Sequence, residues 1–225
     1  MEVLYEDNHI LAVNKEVSEI VQGDKTGDEP LSETLKLWLK EKYDKPGNVF
    51  LGVTHRLDRP VSGLVLFAKT SKSLSRLNEM FRAGEVRKIY WAVVKTPPEI
   101  QKKELTHYLI RNEKQNKSYA YESEKANSKK SVLIYKVIDK SEKYFLLEIR
   151  LKTGRHHQIR CQLAKIGSPI KGDLKYGYPR SNPDGGINLH AREICFVHPV
   201  SKNEIKITAP VPKDNLWQSF ERSQS

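Results

Sequence analysis

The sequence predicts an α+β fold, with a mixed, mainly antiparallel central sheet flanked by helices and loops. Three observations carry this. Short apolar, β-branched runs of strand length recur along the whole chain. Between Leu105 and Leu151 four such runs follow one another, as hairpin-connected antiparallel strands do. Only four stretches space their apolar residues as a helix would, and no repeat, linker or low-complexity tract divides the chain. A single domain over residues 1–225 is expected.

Glu2 to Asp7 and Ile10 to Val13 read as strands joined through Asp7-Asn8-His9, a turn-forming set. A polar loop, Gly23 to Glu29, precedes a helix with Ser32 as its expected cap. Leu31, Leu35, Trp38 and Leu39 share one face of this helix, which runs to Tyr43 and stops before Pro46-Gly47. Val49 to Val53 and Leu64 to Ala68 are buried strands, and they hold between them the polar insertion Thr54 to Gly63. Ser71 caps a second helix, with Leu74, Leu77 and Phe81 at helical spacing and Gly84 past its end. Val86 to Val94 is a strand, broken by Pro97-Pro98. Leu105 to Ile110, Tyr119 to Glu122, Val132 to Val137 and Tyr144 to Leu151 are the antiparallel set. Thr153-Gly154 ends it, and Ile159, Leu163 and Ile166 line a short helix before Gly167, with Arg155 to Gln158 at its N-terminus. Asn182 to Gly186 is a loop, Leu189 to Val197 and Glu204 to Thr208 are late strands, and Asp214 to Phe220 is a last helix.

Of the 225 residues 38% are hydrophobic and 30% charged, a polar balance that still leaves enough apolar runs to bury a core. No window approaches ~18 uninterrupted apolar residues, and Met1 to Asp7 is acidic where a secretory signal is basic and then apolar. No membrane span and no cleaved signal are expected, and a cytoplasmic protein is. Two cysteines, Cys161 and Cys195, make no disulfide framework and no zinc spacing, so neither is expected. Thirty-nine Lys and Arg against 28 Asp and Glu give a net charge of +11. Residues 129–180 alone hold 13 basic and 4 acidic side chains, which leaves +2 for the rest of the chain. Such a concentration predicts a polyanionic partner, and the blander account is a surplus that serves solubility.

Two constellations could carry chemistry. In His55-Arg56-Leu57-Asp58-Arg59 a carboxylate lies between two arginines, which favours its ionised form. An ionised carboxylate suits a nucleophile or the stabiliser of a developing oxocarbenium centre better than a general acid, although a salt-bridged surface loop would look the same. The second, Leu151 to Arg160, sets two arginines, two histidines and an amide at a helix start, where free backbone N–H groups favour phosphate. Arg160, beside Ile159 and Leu163, can point into a cleft. His156 and His157, adjacent on a helix, diverge by ~100° and have no third ligand at suitable spacing, so no metal is expected.

His55 to Leu64 closely resembles the H-R-L-D-x-x-[ST]-S-G-L signature of the RluA-type pseudouridine synthases. Three further blocks match in order: Tyr5 to Lys15, Arg87 to Val94, and Leu151 to Gly177 with its Thr-Gly-Arg-x-His-Gln-Ile-Arg and Gly-Asp-x-x-Tyr-Gly patterns. Leu189-His190-Ala191 and Phe196 to Pro199 look like the family's late block. The chain departs from the pattern after Lys15, where Glu16-Val17-Ser18 replaces the usual Pro and Gly. No S4-type RNA-binding domain, which many relatives carry in front, is expected.

The resemblance implies a pseudouridine synthase fold with a basic active-site cleft, and a cofactor-free isomerisation of uridine in structured RNA, either rRNA or tRNA. It implies that Asp58 is the carboxylate at C1′ and that Arg160 pairs with it. Tyr90 would stack on the uracil with its hydroxyl placed for the C5 proton, unless it is only a core aromatic. A uridine in structured RNA must be flipped out of its stack, and Arg56 would fill the vacancy or simply partner Asp58. His55, Lys152, Arg155, His157, Gln158 and Lys171 complete the expected RNA contacts. No membrane and no metal partner is expected, and the monomer is the default. A non-catalytic RNA-binding module and an RNA or nucleoside glycosylase are the competing readings; the first gives Asp58, Tyr90 and Arg160 no reason to occur together.

Overall fold

The computed structural model describes residues 2–24 and 26–224; Lys25, inside the loop expected at Gly23 to Glu29, lies outside the described residues. The chain groups into two compact units, Met1–Val86 with Ala191–Pro210 and Arg87–His190 with Val211–Ser225.

In the first unit β1 (Glu2–Glu6) and β2 (Ile10–Lys15) form the opening hairpin. Asp7 shapes its turn, accepting the N–H groups of His9 and Ile10 at 2.7 and 2.8 Å. The next element, α1 (Leu31–Lys42), starts just ahead of the expected cap: Pro30 is at the boundary, and Ser32 is buried in the first turn. Proline suits that place because the first helical N–H groups lack intrahelical acceptors. β3 shrinks to Gly52–Val53, and β4 (Ser62–Ala68) is buried on both faces, as its unbroken apolar run requires. For α2 (Ser71–Ala83) the cap is Thr70, whose hydroxyl accepts from the Ser73 N–H at 3.2 Å, and Gly84 ends the helix at φ 74°. β10 (Leu189–Val197) continues the order β1-β2-β4-β10, with β11 (Glu204–Thr208) beside β10. Ile10, Ala12, Leu64 and Leu66 meet Leu77 of α2 with Ile194, Phe196 and Ile207 in this unit's core.

The second unit is an antiparallel sheet in the order β5 (Arg87–Val94), β9 (Phe145–Leu151), β8 (Lys129–Lys140), β6 (Lys102–Asn112), β7 (Lys117–Tyr121). Its two faces follow from its register, because residues directly opposite one another across an antiparallel pair share a face. Tyr90 opposes Ile149, Ile149 opposes Tyr135, Leu133 opposes Leu105, and alternation carries the same face to His107 and Leu109. There α3 (Gln158–Lys165) packs: the Gln162 Nε2 lies 3.0 Å from His107 Nδ1, and Cys161 clusters with Leu109 and Tyr176. The opposite face, Trp91, Val93 and Leu146, packs on Trp217 and Phe220 of α4 (Asn215–Ser223). Asp214 caps α4, accepting the N–H groups of Leu216 and Trp217 at 2.9 and 3.0 Å. A 3₁₀ turn, Leu174–Tyr176, follows α3. Among the described residues no helix is long and apolar enough to cross a membrane.

Candidate functional site

The first unit contributes the loop between β3 and β4. Leu57 anchors it at 9% exposure, while Asp58 is partly buried and Arg56 exposed. The Val61 N–H donates to the Asp58 carbonyl at 3.0 Å, making a tight turn at the carboxylate. His55 pins the loop to the sheet: its Nε2 accepts the Leu66 N–H at 3.1 Å, which leaves the ring proton on Nδ1, and its ring tilts against Phe81 at 5.1 Å. Gly63, the second residue of β4, stands at φ 111°, and a Cβ there would stand 2.4 Å from the Ala191 carbonyl oxygen, so only glycine lets the strands approach this closely. The Arg59 guanidinium turns to another loop, pairing with Asp28 at 2.7 Å and donating to Thr26 Oγ1 at 2.8 Å.

Lys15, quoted in the sequence only as part of a matching block, is 1% exposed behind this loop. Its ammonium donates to the carbonyls of Glu16 (2.7 Å), Glu19 (2.8 Å) and Arg59 (3.3 Å). Burial pulls its pKa down to about 8, against the opposing charges of Glu19 and Asp58. A buried cation thus ties the end of β2 to the residue after Asp58. No sequence pattern separates such a lysine from a surface one.

The second unit contributes Tyr90 and Arg160, brought to one side of its sheet by the register and by α3. Tyr90 is 8% and Arg160 5% exposed. Arg160 makes a two-point pair with Asp173, Nε to Oδ2 at 2.7 Å and Nη2 to Oδ1 at 2.9 Å, and its guanidinium carbon lies 5.1 Å from the Tyr176 ring centroid. Asp173 and Tyr176, both within the Gly-Asp-x-x-Tyr-Gly block, are the partners that sequence reasoning missed. Thirteen and sixteen residues from Arg160, they carry no local signal.

The residues expected on RNA divide by exposure. Lys152 and Arg155 are exposed, with Arg155 Nε donating to the Lys130 carbonyl at 3.4 Å. Gln158 is buried at 3%; its Oε1 accepts from Thr153 Oγ1 (2.8 Å) and the Arg155 N–H (3.0 Å), and its Nε2 donates to the Val132 carbonyl at 3.1 Å. Its amide builds the Thr153–Arg155 turn. Lys171 is half-buried, with its ammonium donating to Asn182 Oδ1 at 2.7 Å and Asn188 Oδ1 at 3.2 Å. His157 adopts a left-handed backbone at φ 52°, which turns its ring inward to 8% exposure. Burial, with the charge of Arg160 second, pulls its pKa down to about 2, so the ring is neutral at pH 7. Cys161 is inert for a like reason, its thiol pushed up to about 12 by burial. Among the described residues no group of His, Cys, Asp and Glu could hold a metal ion.

A family model described as RNA pseudouridylate synthase matches residues 9–165. The tRNA pseudouridine synthase C of Vibrio vulnificus (strain CMCP6) is 31% identical, over 99% of this chain and 95% of its own. A ribosomal large subunit pseudouridine synthase C of Buchnera aphidicola subsp. Acyrthosiphon pisum (strain APS) is 34% identical, over 94% of this chain and 68% of its own. Among solved structures, Human RNA Pseudouridylate Synthase Domain Containing 4 shares the fold, with a TM-score of 0.80 over 99% of this chain and 93% of that one at 21% identity.

Proposed function

The chain belongs to the RNA pseudouridylate synthase family, and we propose from that premise that Asp58, Tyr90 and Arg160 carry its chemistry on a uridine flipped out of a structured RNA. It is an RNA pseudouridine synthase, an isomerase. The reaction breaks the C1′–N1 bond, turns the uracil, forms a C1′–C5 bond and moves the C5 proton, so atoms and electrons balance without a cofactor. Asp58 supplies the carboxylate at C1′. Arg160 opposes its charge, Tyr90 stacks on the uracil, and the Tyr90 hydroxyl takes part in moving the C5 proton.

The observation that carries this reading is the pairing of family membership with the second unit's geometry: the register sets Tyr90 on the face of the sheet that α3, with Arg160, covers. Arg56 fills the vacancy left by the uridine. Lys152 and Arg155 contact phosphates, which position RNA without reading its sequence. Because similar proteins act on tRNA and on large-subunit rRNA, either is a substrate class for this chain. The same proposal has the protein act as a monomer in the cytoplasm. The test is Asp58→Asn, incubated with tRNA and rRNA fragments that the parent modifies. Pseudouridine should fall to background while RNA affinity stays within a few-fold; formation at even a tenth of the parent rate would mean that another group attacks C1′. Free uracil as the parent's product would favour a glycosylase instead.

A further inference from the structure

We propose that Tyr176 is a positioning residue for Arg160: its ring seats the guanidinium, and its hydroxyl fixes that seat to the β6–β7 hairpin. The inference rests on the reading of Arg160 as a functional cation and adds to it how the cation is held.

Arg160 is gripped on two sides by one turn. Asp173 takes an edge of the guanidinium through two hydrogen bonds, and the Tyr176 ring lies 5.1 Å from its carbon. The Tyr176 N–H donates to the Asp173 carbonyl at 3.1 Å, so carboxylate and ring belong to one rigid unit. The ring is itself located by its hydroxyl, which accepts the Ser118 N–H of β7 at 2.8 Å. A hydroxyl that accepts there directs its own proton to His157 Nδ1, 3.0 Å away, and the neutral His157 ring can accept it. His157 stands edge-on to Tyr176 at 5.6 Å and stacks on His156 at 3.8 Å. His156 returns to the hairpin, where the Ser118 hydroxyl donates to its carbonyl at 2.8 Å and its Nε2 lies 3.1 Å from Asn116 Oδ1. On the hairpin itself Lys117 stands over the Tyr176 ring at 5.2 Å. A buried tyrosine hydroxyl takes a partner in any case, and the one it takes here, on β7, fixes the ring beside Arg160 relative to the hairpin.

Ring and hydroxyl are separable. In Tyr176→Leu the guanidinium loses its aromatic seat, and in Tyr176→Phe only the hydroxyl ties go. With the RNA that the parent modifies, Tyr176→Leu should lower kcat about tenfold, and Tyr176→Phe should recover most of that loss, with KM and RNA affinity unchanged within about twofold in both. Leu109→Ala opens the same apolar cluster without touching Arg160, so it should lower the melting temperature and keep the parent kcat. A rate loss in Leu109→Ala matching that of Tyr176→Leu would reduce Tyr176 to packing, and parent kcat in Tyr176→Leu would overturn the proposal outright. Nuclear magnetic resonance of the Arg160 Nε–H separates this inference from the reading beneath it. The proton should be protected from exchange in the parent and in Tyr176→Phe and exchange quickly in Tyr176→Leu, whatever the activity. Equal protection in all three would show that Asp173 suffices to hold the guanidinium. A parent that forms no pseudouridine in any RNA would sink the functional reading and leave this resonance result standing.

Discussion

Acidification from pH 7 to pH 5 should cost the protein about 2 kcal/mol of folding stability through His157 alone. The ring is 8% exposed, and burial, helped by the charges of Arg160, His156, Lys175 and Arg111, pulls its pKa from 6.5 to about 2. The unfolded chain takes up a proton near pH 6.5, whereas the folded chain refuses it until about pH 2. Stability is therefore full above 6.5 and falls as pH drops through that window. The roughly one and a half units between 6.5 and pH 5, at ~1.36 kcal/mol each, give the figure. His157→Asn is the matched variant, because asparagine tolerates the left-handed backbone at φ 52° and its Oδ1 can take the Tyr176 hydroxyl proton. Urea unfolding of both proteins at both pH values should show the parent losing about 2 kcal/mol more than the variant. Equal acid losses, within ~0.5 kcal/mol, would mean that His157 protonates freely in the folded protein and that its burial has been misjudged.

Gly63→Ala should lower the melting temperature by on the order of 10 °C, since the positive φ and a Cβ against the Ala191 backbone each cost about 1–3 kcal/mol. Melting within about 2 °C of the parent would show that the strands can part at no cost. Lys152→Ala should flatten the salt dependence of RNA binding by about one phosphate contact, whereas Lys171→Ala should leave the slope alone and speed amide exchange around Asn182 and Asn188. An equal loss of slope in the two variants would mean that the Lys171 ammonium leaves its asparagines for phosphate.

Local signals survived into the structure where one residue type had one physical outcome. Leu189–Val197 and Glu204–Thr208 form over the expected residues because their apolar runs and flanking turns leave no other period. Two helix boundaries moved: Thr70 takes the capping role with its hydroxyl, one residue before Ser71, and Pro30 opens α1 with no side-chain cap hydrogen bond. The polar string at 155–158 is expected to face phosphate at a helix start, yet one left-handed residue turns His157 inward and the Gln158 amide bonds within its own turn. The Arg59 guanidinium also pairs with Asp28, thirty-one residues upstream, a partner that the local motif does not contain. Sequence motifs thus singled out candidate side chains, while their partners depend on chain crossings that no local window contains. Each of the two compact units likewise draws on distant stretches of the chain.

That interleaving bears on how the chain is made. A ribosome delivers residues in order, but the first unit lacks Ala191–Pro210, and with them β11 and most of β10, until residue 210 has emerged. The second unit waits longer still, for Trp217 and Phe220 to cover Trp91 and Val93. Until then one face of its sheet stands open to solvent and to other nascent chains. Local hairpins such as β1–β2 and β6–β7 need no distant partner, whereas residues 211–225 complete the second unit, although none of them is a candidate for the chemistry. A stop codon just after Pro210 would spare every residue proposed to touch uridine and still leave the Tyr90 strand without the helix that buries its other side.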